Sequence, residues 1–316
     1  MNQIVTPSTG LRHPRTQRLL AHLAMLGFAA MIAGSFTAGA LVVDEIGPIA
    51  LNAIRFLLGA MLMGLMAFAV ARQPMRLPPA PWRFGVLGLL MAIYFCSMFI
   101  ALQFTAPVAT SAVFTLIPLM AAGLGLLILG QRTGPIGLLS LLFAGLGSVW
   151  VIFRGDLDAL RAFDIGKGEV IYFAGCVCYA IYTPLLRKFS RGEPAVLASF
   201  FTLSATTLWI AAYGFPEILA TDWTALPPLV WWVIAYLAVF PTAMSFFFVQ
   251  FASLHLPAAK VIAYGYLTPI FVILLEGLFG HGWVSLPVVA GALVTVLGLV
   301  VLALAPERAA RPSPAT

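Results

Sequence analysis

Three side chains in the largely apolar stretch 257–279 could do chemistry, because one is charged and two carry hydroxyl groups. Lys260, Tyr264 and Thr268 recur every fourth residue, so they share one face of a continuous α-helix. About 20 apolar residues suffice to cross a bilayer, and lipid would penalise such a face. We therefore predict that this face looks toward protein or water. There Lys260 would pair with a carboxylate or carry a proton, unless its ammonium group simply reaches the membrane surface.

A second apolar stretch, 107–129, resembles the first one around a proline. Residues 116–119 (LIPL) match residues 267–270 (LTPI). A proline removes one backbone hydrogen bond from a helix, and it acts either as a static kink or as a point of movement. We predict that Pro118 and Pro269 are hinges in two symmetry-related helices that line one central cavity.

Two further charged side chains fall inside apolar stretches. Arg55 would contact an anion such as a substrate carboxylate, or it would be a structural residue. A structural Arg55 would either tie neighbouring carbonyl groups together or reach outward, with Asp44 or Glu45 as its partner. Glu276 would carry a proton if it is partly buried, or it would simply face solvent near the end of its stretch. The sequence leaves both choices open.

Hydroxyl and aromatic side chains on other apolar stretches are candidate substrate contacts. Helix–helix hydrogen bonds would explain each of them singly, but their spread over many stretches indicates a shared wet cavity. A cavity lined by hydroxyl and aromatic side chains suits a zwitterion or an amphipathic organic molecule better than an inorganic ion. The predicted substrate-binding residues are Tyr94, Ser97, Thr110, Ser111, Tyr179, Tyr182, Ser245, Lys260 and Tyr264.

The composition is that of an all-α integral membrane protein. Hydrophobic residues make up 62% of the chain and charged residues 9%, against about 25% charged residues in soluble domains. Apolar length and loop punctuation predict ten transmembrane helices. Their expected limits are 20–42, 46–71, 82–103, 106–129, 134–153, 168–186, 194–216, 227–250, 257–279 and 283–304.

The predicted helices divide into two halves, 20–153 and 168–304. Weak sequence matches relate the halves, and each half holds five helices. Because five is odd, the second repeat must be inverted relative to the first, which is typical of secondary transporters that bind substrate near the midplane.

Basic residues predict the orientation in the membrane. Of the 17 Lys and Arg residues, only Arg154, Arg161 and Lys167 lie outside if the N-terminus is cytoplasmic, and Arg55 and Lys260 lie within helices. The positive-inside rule then puts both termini in the cytoplasm. We expect a multi-pass protein of a bacterial inner membrane.

Several function classes find no support in the sequence. No basic run is interleaved with aromatic residues, so nucleic acid is not an expected partner. Cys96, Cys176 and Cys178 lie in apolar stretches without metal-ligand spacing, so we expect no metal and no cofactor. No hydrolase, metalloprotease or phosphate-loop motif is present, so we do not expect an enzyme. The expected partners are the lipid bilayer and a small-molecule substrate, with the protein acting as a monomer.

Three stretches carry a resemblance to a known family. Residues 48–60 with Arg55, 110–130 around Pro118 and 257–280 around Pro269 resemble the second, fourth and ninth helices of the EamA-domain proteins of the drug/metabolite transporter superfamily. The resemblance implies two homologous five-helix repeats and export of amino acids, including aromatic ones, or of similar small metabolites.

The chain departs from the family pattern at two positions. The family often has Glu after Gly at the ends of the fourth and ninth helices, whereas this chain has Gln131 and His281 there. Export of cationic drugs remains an alternative that would use Glu276. Exchange of phosphorylated metabolites is another, and it would need Arg55 close to Lys260. A membrane-embedded enzyme is a third and weaker alternative.

Overall fold

The computed structural model describes residues 14–74, 76–130, 134–162, 165–256, 261 and 263–304, without the side chains of residues 14, 15, 250, 253, 254 and 302–304. Lys260 and Gln131 therefore lie outside the described residues. All regular structure in the described ranges is helical. In chain order the α-helices are α1 (Pro14–Ala40), α2 (Pro48–Gly64), α3 (Trp82–Ala101), α4 (Pro107–Phe114), α5 (Ile117–Leu129), α6 (Pro135–Ile152), α7 (Leu157–Ala162), α8 (Lys167–Phe189), α9 (Ala195–Ala220), α10 (Pro228–Leu237), α11 (Ser245–His255), α12 (Thr268–Leu278) and α13 (Leu286–Leu304).

The lengths and composition of these helices are those of a multi-pass membrane protein. Within the described ranges, eight helical segments are long and apolar enough to cross a bilayer, and they correspond to the first eight predicted spans. The shorter apolar segments Tyr264–Leu278 and Leu286–Val301 fall where the ninth and tenth spans are predicted. The all-helical membrane fold is thus confirmed, while the count of ten and the inverted repeats remain predictions.

Two of the predicted spans are broken just before a proline. The fourth span divides at Thr115 and Leu116, and α5 begins at Ile117 with Pro118 in its first turn. The ninth span contains a 3₁₀ turn, Tyr264–Leu267, directly before α12 and Pro269. Residues three apart eclipse in a 3₁₀ turn, so the continuous helical face expected through Tyr264 and Thr268 does not form.

The core is assembled from helix pairs that join the two halves of the chain. The most extensive contacts are those of α6 with α13, α3 with α8 and α2 with α9, and α1 packs on α11 and α12. The side chains buried between these helices are large and mostly apolar, among them Phe36, Phe56, Phe99 and Tyr172. Each buried cluster of the described residues contains side chains from both halves, so the interface between the halves forms much of the interior.

Glycines let α6 approach α13, and α3 approach α9, backbone to backbone. A Cβ atom on Gly147 of α6 would lie 2.6 Å from the carbonyl oxygen of Gly291 on α13, and one on Gly88 of α3 would lie 2.7 Å from the backbone nitrogen of Thr206 on α9. Small residues of this kind drive close helix packing in membranes, where apolar burial between helices gives little.

Replacing Gly147 by valine should separate α6 from α13, because backbone atoms cannot move aside as side chains do. We expect Gly147→Val to lower the temperature at which the detergent-solubilised protein loses its monodisperse size-exclusion peak. Gly123→Val is the matched control, since a Cβ at Gly123 meets no atom within 4 Å. Equal melting temperatures for the two variants would contradict this account of the α6–α13 contact.

A buried arginine ties together the loops at one end of the bundle. The Arg83 side chain donates to Glu193 Oε1 at 2.5 Å, to the carbonyl oxygens of Pro79 at 2.6 Å and Ala80 at 3.1 Å, and to that of Phe189. These contacts join the start of α3 to the connection between α8 and α9. The two halves of the chain are thus linked at this end by a charged hydrogen-bond cluster.

The Glu193 carboxylate is stabilised in its charged form. Burial acts against the charge, but the hydrogen bonds from Arg83 and from the backbone N–H groups of Arg191 and Glu193 outweigh burial and hold the pKa of Glu193 below its usual range. A carboxylate with a lowered folded-state pKa stabilises the fold above its unfolded-state pKa, roughly 4.3 for glutamate. That contribution disappears as the pH falls through the folded-state value.

Glu193→Gln should therefore lower the melting temperature of the solubilised protein at neutral pH, and the difference from the parent protein should shrink as the pH is lowered below the glutamate range. Thermal denaturation at a series of pH values measures this. Asp158→Asn is the control, because Asp158 and Arg161 form an exposed pair at 3.4 Å that contributes little. A difference for Glu193→Gln that does not change with pH would exclude the carboxylate as its source.

Candidate functional site

A cavity of about 200 Å³ lies between the two halves of the chain. Helices α1, α3, α8, α9 and α11 form its walls, together with the breaks before Pro118 and Pro269. Tyr94, which lines the cavity, lies in the middle of α3. The helical rise of about 1.5 Å per residue places it roughly 18 Å along the helix from Trp82. The upper rim of the cavity reaches Leu186 and Ala195, which flank the loop that carries Glu193. The cavity therefore extends from the middle of the bundle to the end held by Arg83.

At the opposite end of the bundle, two acidic residues again join the halves. Glu217 Oε1 accepts hydrogen bonds from the backbone nitrogens of Ile49 at 2.9 Å and Ala50 at 3.0 Å, and so caps the N-terminus of α2. Glu169 Oε1 accepts a hydrogen bond of 2.6 Å from Thr105 at the end of α3. At this end, too, the two halves of the chain are therefore joined by hydrogen bonds to buried or partly buried carboxylates.

Four of the sequence-predicted residues line this cavity: Tyr94, Tyr179, Tyr182 and Ser245. The ring centroids of Tyr94 and Tyr179 lie 4.7 Å apart and those of Tyr179 and Tyr182 lie 5.6 Å apart. These contacts form a ladder of phenol rings from the floor of the cavity toward its rim. Helical spacing explains the ladder, because Tyr179 and Tyr182 stand three residues apart on α8.

The hydroxyl groups of the ladder differ in how they are satisfied. Tyr94 accepts a hydrogen bond of 3.0 Å from the buried Tyr172 beneath it. Ser245 donates to the carbonyl oxygen of Pro241 at 2.7 Å. Tyr179 and Tyr182 line the cavity, with the Tyr182 side chain buried and that of Tyr179 partly buried. A buried phenol favours a partner, so a ligand in the cavity would meet two groups that can donate or accept.

The other sequence-predicted contacts lie away from the described cavity wall. Ser97, Thr110 and Ser111 are buried and donate to carbonyl oxygens of their own helices, at 2.9, 3.1 and 2.7 Å. Ser97 also fills the space that Gly175 leaves on α8. Tyr264 is 2.6 Å from His22 Nδ1 across the α1 interface. Substrate binding by these four residues, and by Lys260 outside the described residues, remains a prediction.

The cavity also uses residues that the sequence analysis did not select. Phe95, Thr183, Ser199 and Thr202 line it. Ser199 and Thr202 belong to α9, which the sequence analysis did not count among the polar helices. The sequence feature that could have identified Ser199 and Thr202 is the recurrence of small residues at 195, 198, 199 and 202. This spacing places the four residues on one helix face.

The two helix breaks meet at the cavity. Proline has no N–H group, so Pro118 and Pro269 cannot donate to the carbonyl oxygens four residues earlier, which belong to Phe114 and Gly265. Both of those residues line the cavity, and a Cβ on Gly265 would lie 3.1 Å from the Phe114 ring. The fourth and ninth spans are thus adjacent, as predicted, and their irregular backbone faces the cavity rather than lipid. Movement at the two prolines remains a prediction.

Arg55 does not reach outward, which corrects one alternative from the sequence. Its side chain is 0% exposed, and its Nε atom donates to Thr242 Oγ1 at 2.9 Å. The expected partners Asp44 and Glu45 are exposed and make no contact with it. Helix α2 turns Arg55 toward the α10–α11 junction, so its guanidinium group points into the protein beside Phe95.

Glu276 and His281, the two unusual residues near the end of the ninth span, contact each other. Glu276 Oε2 lies 2.9 Å from His281 Nδ1, and the carboxylate is 8% exposed. Glu276 is therefore not a simple solvent-facing residue. The pair does not line the described cavity, so it does not provide an acid to a ligand bound there.

Chemical labelling tests the cavity directly. In a background without native cysteines, we expect Ser199→Cys to react rapidly with a water-soluble thiosulfonate reagent added to one side of sealed vesicles. Ser97→Cys should react slowly from both sides, because Ser97 is buried away from the cavity. The parent protein without native cysteines gives the background level of labelling. Similar labelling rates for the two variants, or labelling of Ser199→Cys from both sides alike, would contradict a cavity that opens at one end.

Comparisons with known proteins agree with this architecture. Residues 19–153 and 166–304 both match the EamA-like transporter family. An uncharacterized transporter, YyaM, of Bacillus subtilis strain 168 is 24% identical over 285 residues, which is 90% of this chain and 93% of the relative. A solved crystal structure shares the fold with a TM-score of 0.67, at 20% identity over 92% of this chain and 98% of the other. The helical bundle, its membrane-spanning segments and these matches together show that the chain belongs to the EamA-like transporter family.

Proposed function

We propose that this protein is a secondary transporter that exports amino acids, foremost aromatic and neutral ones, or similar small metabolites. The observation that carries the proposal is the cavity between the halves, which extends toward the end of the bundle held by Arg83 and is lined by phenol rings and small hydroxyl groups. Membership of a transporter family supports transport in general. The substrate class rests on the cavity and on the resemblance to amino-acid exporters.

The chemistry of the wall favours an amphipathic organic substrate. Aromatic rings such as those of Tyr179, Tyr182 and Phe246 offer stacking surfaces, and the phenol groups offer hydrogen bonds. In the described part of the chain no charged side chain lines the cavity, which weighs against an inorganic ion as substrate. Pockets that bind small molecules commonly combine an apolar lining with a few polar groups that fix orientation.

Alternating access would follow from the way the halves pair. We propose that residues 20–153 and 168–304 are inverted repeats, and the pairing of α2 with α9, α3 with α8 and α6 with α13 supports this. We propose that the cavity is open at the end held by Arg83. Rocking of one half against the other about Pro118 and Pro269 would close this open end and release the Glu169 and Glu217 contacts at the other.

We further propose that the open end faces the cytoplasm of a bacterial cell with both termini inside, and that the protein acts as a monomer in the inner membrane. The loops and helix ends on this side carry basic residues, in accord with the positive-inside rule. They are Arg72, Arg76, Arg187, Lys188 and Arg191. An inward-open cavity would load its substrate from the cytoplasm, as export requires.

The alternative functions have less support. A cationic drug would need an acid in the cavity, and Glu276 does not line it. Exchange of phosphorylated metabolites would need a second cation beside Arg55, and Lys260 lies outside the described residues. A membrane-embedded enzyme has the least support, because the family and the named relative are transporters.

Flux into proteoliposomes tests the proposal. We expect labelled L-phenylalanine to exchange across liposomes that contain the purified protein, and Tyr182→Ala to reduce the initial rate by roughly tenfold, the effect of losing about 1.4 kcal/mol of binding. Tyr213→Ala is the matched control, because Tyr213 is 76% exposed on the outer face of α9. Absence of flux for every amino acid and amphipathic metabolite tried, in either direction, would refute the proposal.

A further inference from the structure

We propose that Arg55 forms a carboxylate subsite behind the cavity wall and that Phe95 separates this subsite from the cavity. The inference rests on the proposed transport function and narrows its substrate class to amphipathic organic monocarboxylates. The carboxylate would bind the guanidinium group, and the apolar body of the substrate would remain in the cavity among the tyrosines.

The first argument is an uncompensated charge. Arg55 is 0% exposed, and its Nη1 and Nη2 atoms are buried without a hydrogen-bond partner among the described residues. The ion pairs in that part of the chain involve Arg83, Arg161 and His281, and none includes Arg55. Buried charges are costly unless they are paired and hydrogen-bonded, and charged residues inside membrane spans are functional by default.

The second argument is the environment of the guanidinium group. Its central carbon lies 4.7 Å from the ring centroid of Phe95, 5.3 Å from that of Phe56 and 5.5 Å from that of Phe99. Aromatic faces compensate part of a cationic charge, but they do not accept hydrogen bonds as a carboxylate does. The planar fork of Arg fits a carboxylate in a bidentate manner. The three phenylalanine rings form a cage that holds the guanidinium group in place. The Nη1 and Nη2 atoms inside this cage remain without a hydrogen-bond acceptor among the described residues.

The third argument is the position of the cage beside the cavity. Phe95 contacts the guanidinium group and also lines the cavity, so a change in one side-chain rotamer would join the two spaces. On the other side, Thr242 accepts the Nε hydrogen bond and stands next to Pro241, another cavity-lining residue. Both belong to the π-helical segment Ala238–Met244, and such segments are frequent at functional sites.

The chemistry of the subsite selects the ligand. A single guanidinium group without a second described cation suits one negative charge, which favours a carboxylate over a phosphate. The ring centroid of Tyr94 lies 4.7 Å from that of Phe95 and 4.7 Å from that of Tyr179. One molecule could therefore place its carboxylate at Arg55 and an aromatic ring beside Tyr179. An α-amino group is not required by this geometry, and 3-phenylpropionate should therefore bind as well as an amino acid does at this subsite.

Binding measured on the purified full-length protein, with labelled probes, tests the subsite. The probes are L-phenylalanine, 3-phenylpropionate and L-phenylalaninamide, which lacks the carboxylate. We expect both acids to bind more tightly than the amide. Arg55→Gln should weaken binding of the acids by roughly tenfold or more, the scale of one charge-assisted hydrogen bond, and change binding of the amide little. Arg55→Lys should retain part of the preference, because it keeps the charge and loses the bidentate fork.

A second variant keeps the test decisive if Arg55→Gln fails to give a monodisperse protein. Phe95→Leu removes the ring between the cavity and Arg55, so the acids should associate faster in stopped-flow measurements. Phe173→Leu is the matched control, since Phe173 is 45% exposed on α8 and does not line the described cavity. Equal association rates for the two variants would overturn the role of Phe95 as the partition.

The outcomes separate this inference from the proposed function. If the amide binds as tightly as the acids, or if Arg55→Gln retains the preference for acids, the carboxylate subsite is wrong although amino-acid transport stands. If no carboxylate binds, the subsite is wrong as well. The proposed function fails only if the liposome flux assay is also negative for every amino acid and amphipathic metabolite.

Discussion

A bilayer offers no water to a backbone carbonyl group or a hydroxyl group, so a membrane protein must enclose every break in its helices. This chain breaks two helices just before a proline and brings the breaks together, with Phe114 against Gly265. The remaining helices surround this junction and leave a cavity beside it. Irregular backbone is tolerated inside a membrane only where it contacts protein or a cavity instead of lipid. This constraint accounts for the position of the central cavity beside the two breaks.

The scaffold that holds this junction is assembled across the two halves of the chain. Glycine contacts bring α6 to α13 and α3 to α9 at backbone distance, and charged contacts tie the ends through Arg83 on one side and Glu217 on the other. The two kinds of contact differ in what they permit. Glycine packing fixes helices along their length, whereas an ionic cluster at a helix end can be exchanged for water when that end opens.

Much of this arrangement could be predicted from residue types and spacing. Apolar length predicts the membrane spans, and the prolines at 118 and 269 mark the breaks, because proline chemistry is local. Tyr94, Tyr179, Tyr182 and Ser245 were identified because a hydroxyl group in an apolar helix needs a partner. That same rule also selected Ser97, Thr110 and Ser111, which lie away from the described cavity wall and, like Ser245, donate to backbone carbonyl oxygens three or four residues earlier. The sequence cannot distinguish these two outcomes, since both produce the same residues at the same spacing.

Other features depend on tertiary contacts that no local pattern encodes. The sequence allowed Arg55 to reach outward, whereas the fold places it among Phe56, Phe95 and Phe99 from two helices. The wall supplied by α9 was missed although Ser199 and Thr202 carry hydroxyl groups, because no local pattern shows which face of α9 meets the cavity. The hydrogen-bonded contact between Glu276 and His281 likewise depends on how the chain folds at the end of α12.

The most direct measurement of the central claim is an experimental structure of the protein in lipid nanodiscs with L-phenylalanine bound. The account predicts ligand density between the two halves, in contact with Tyr179 and Tyr182 and beside the breaks at Phe114 and Gly265. Density on an outer, lipid-facing surface, or an occupied site that involves only one half of the chain, would contradict it.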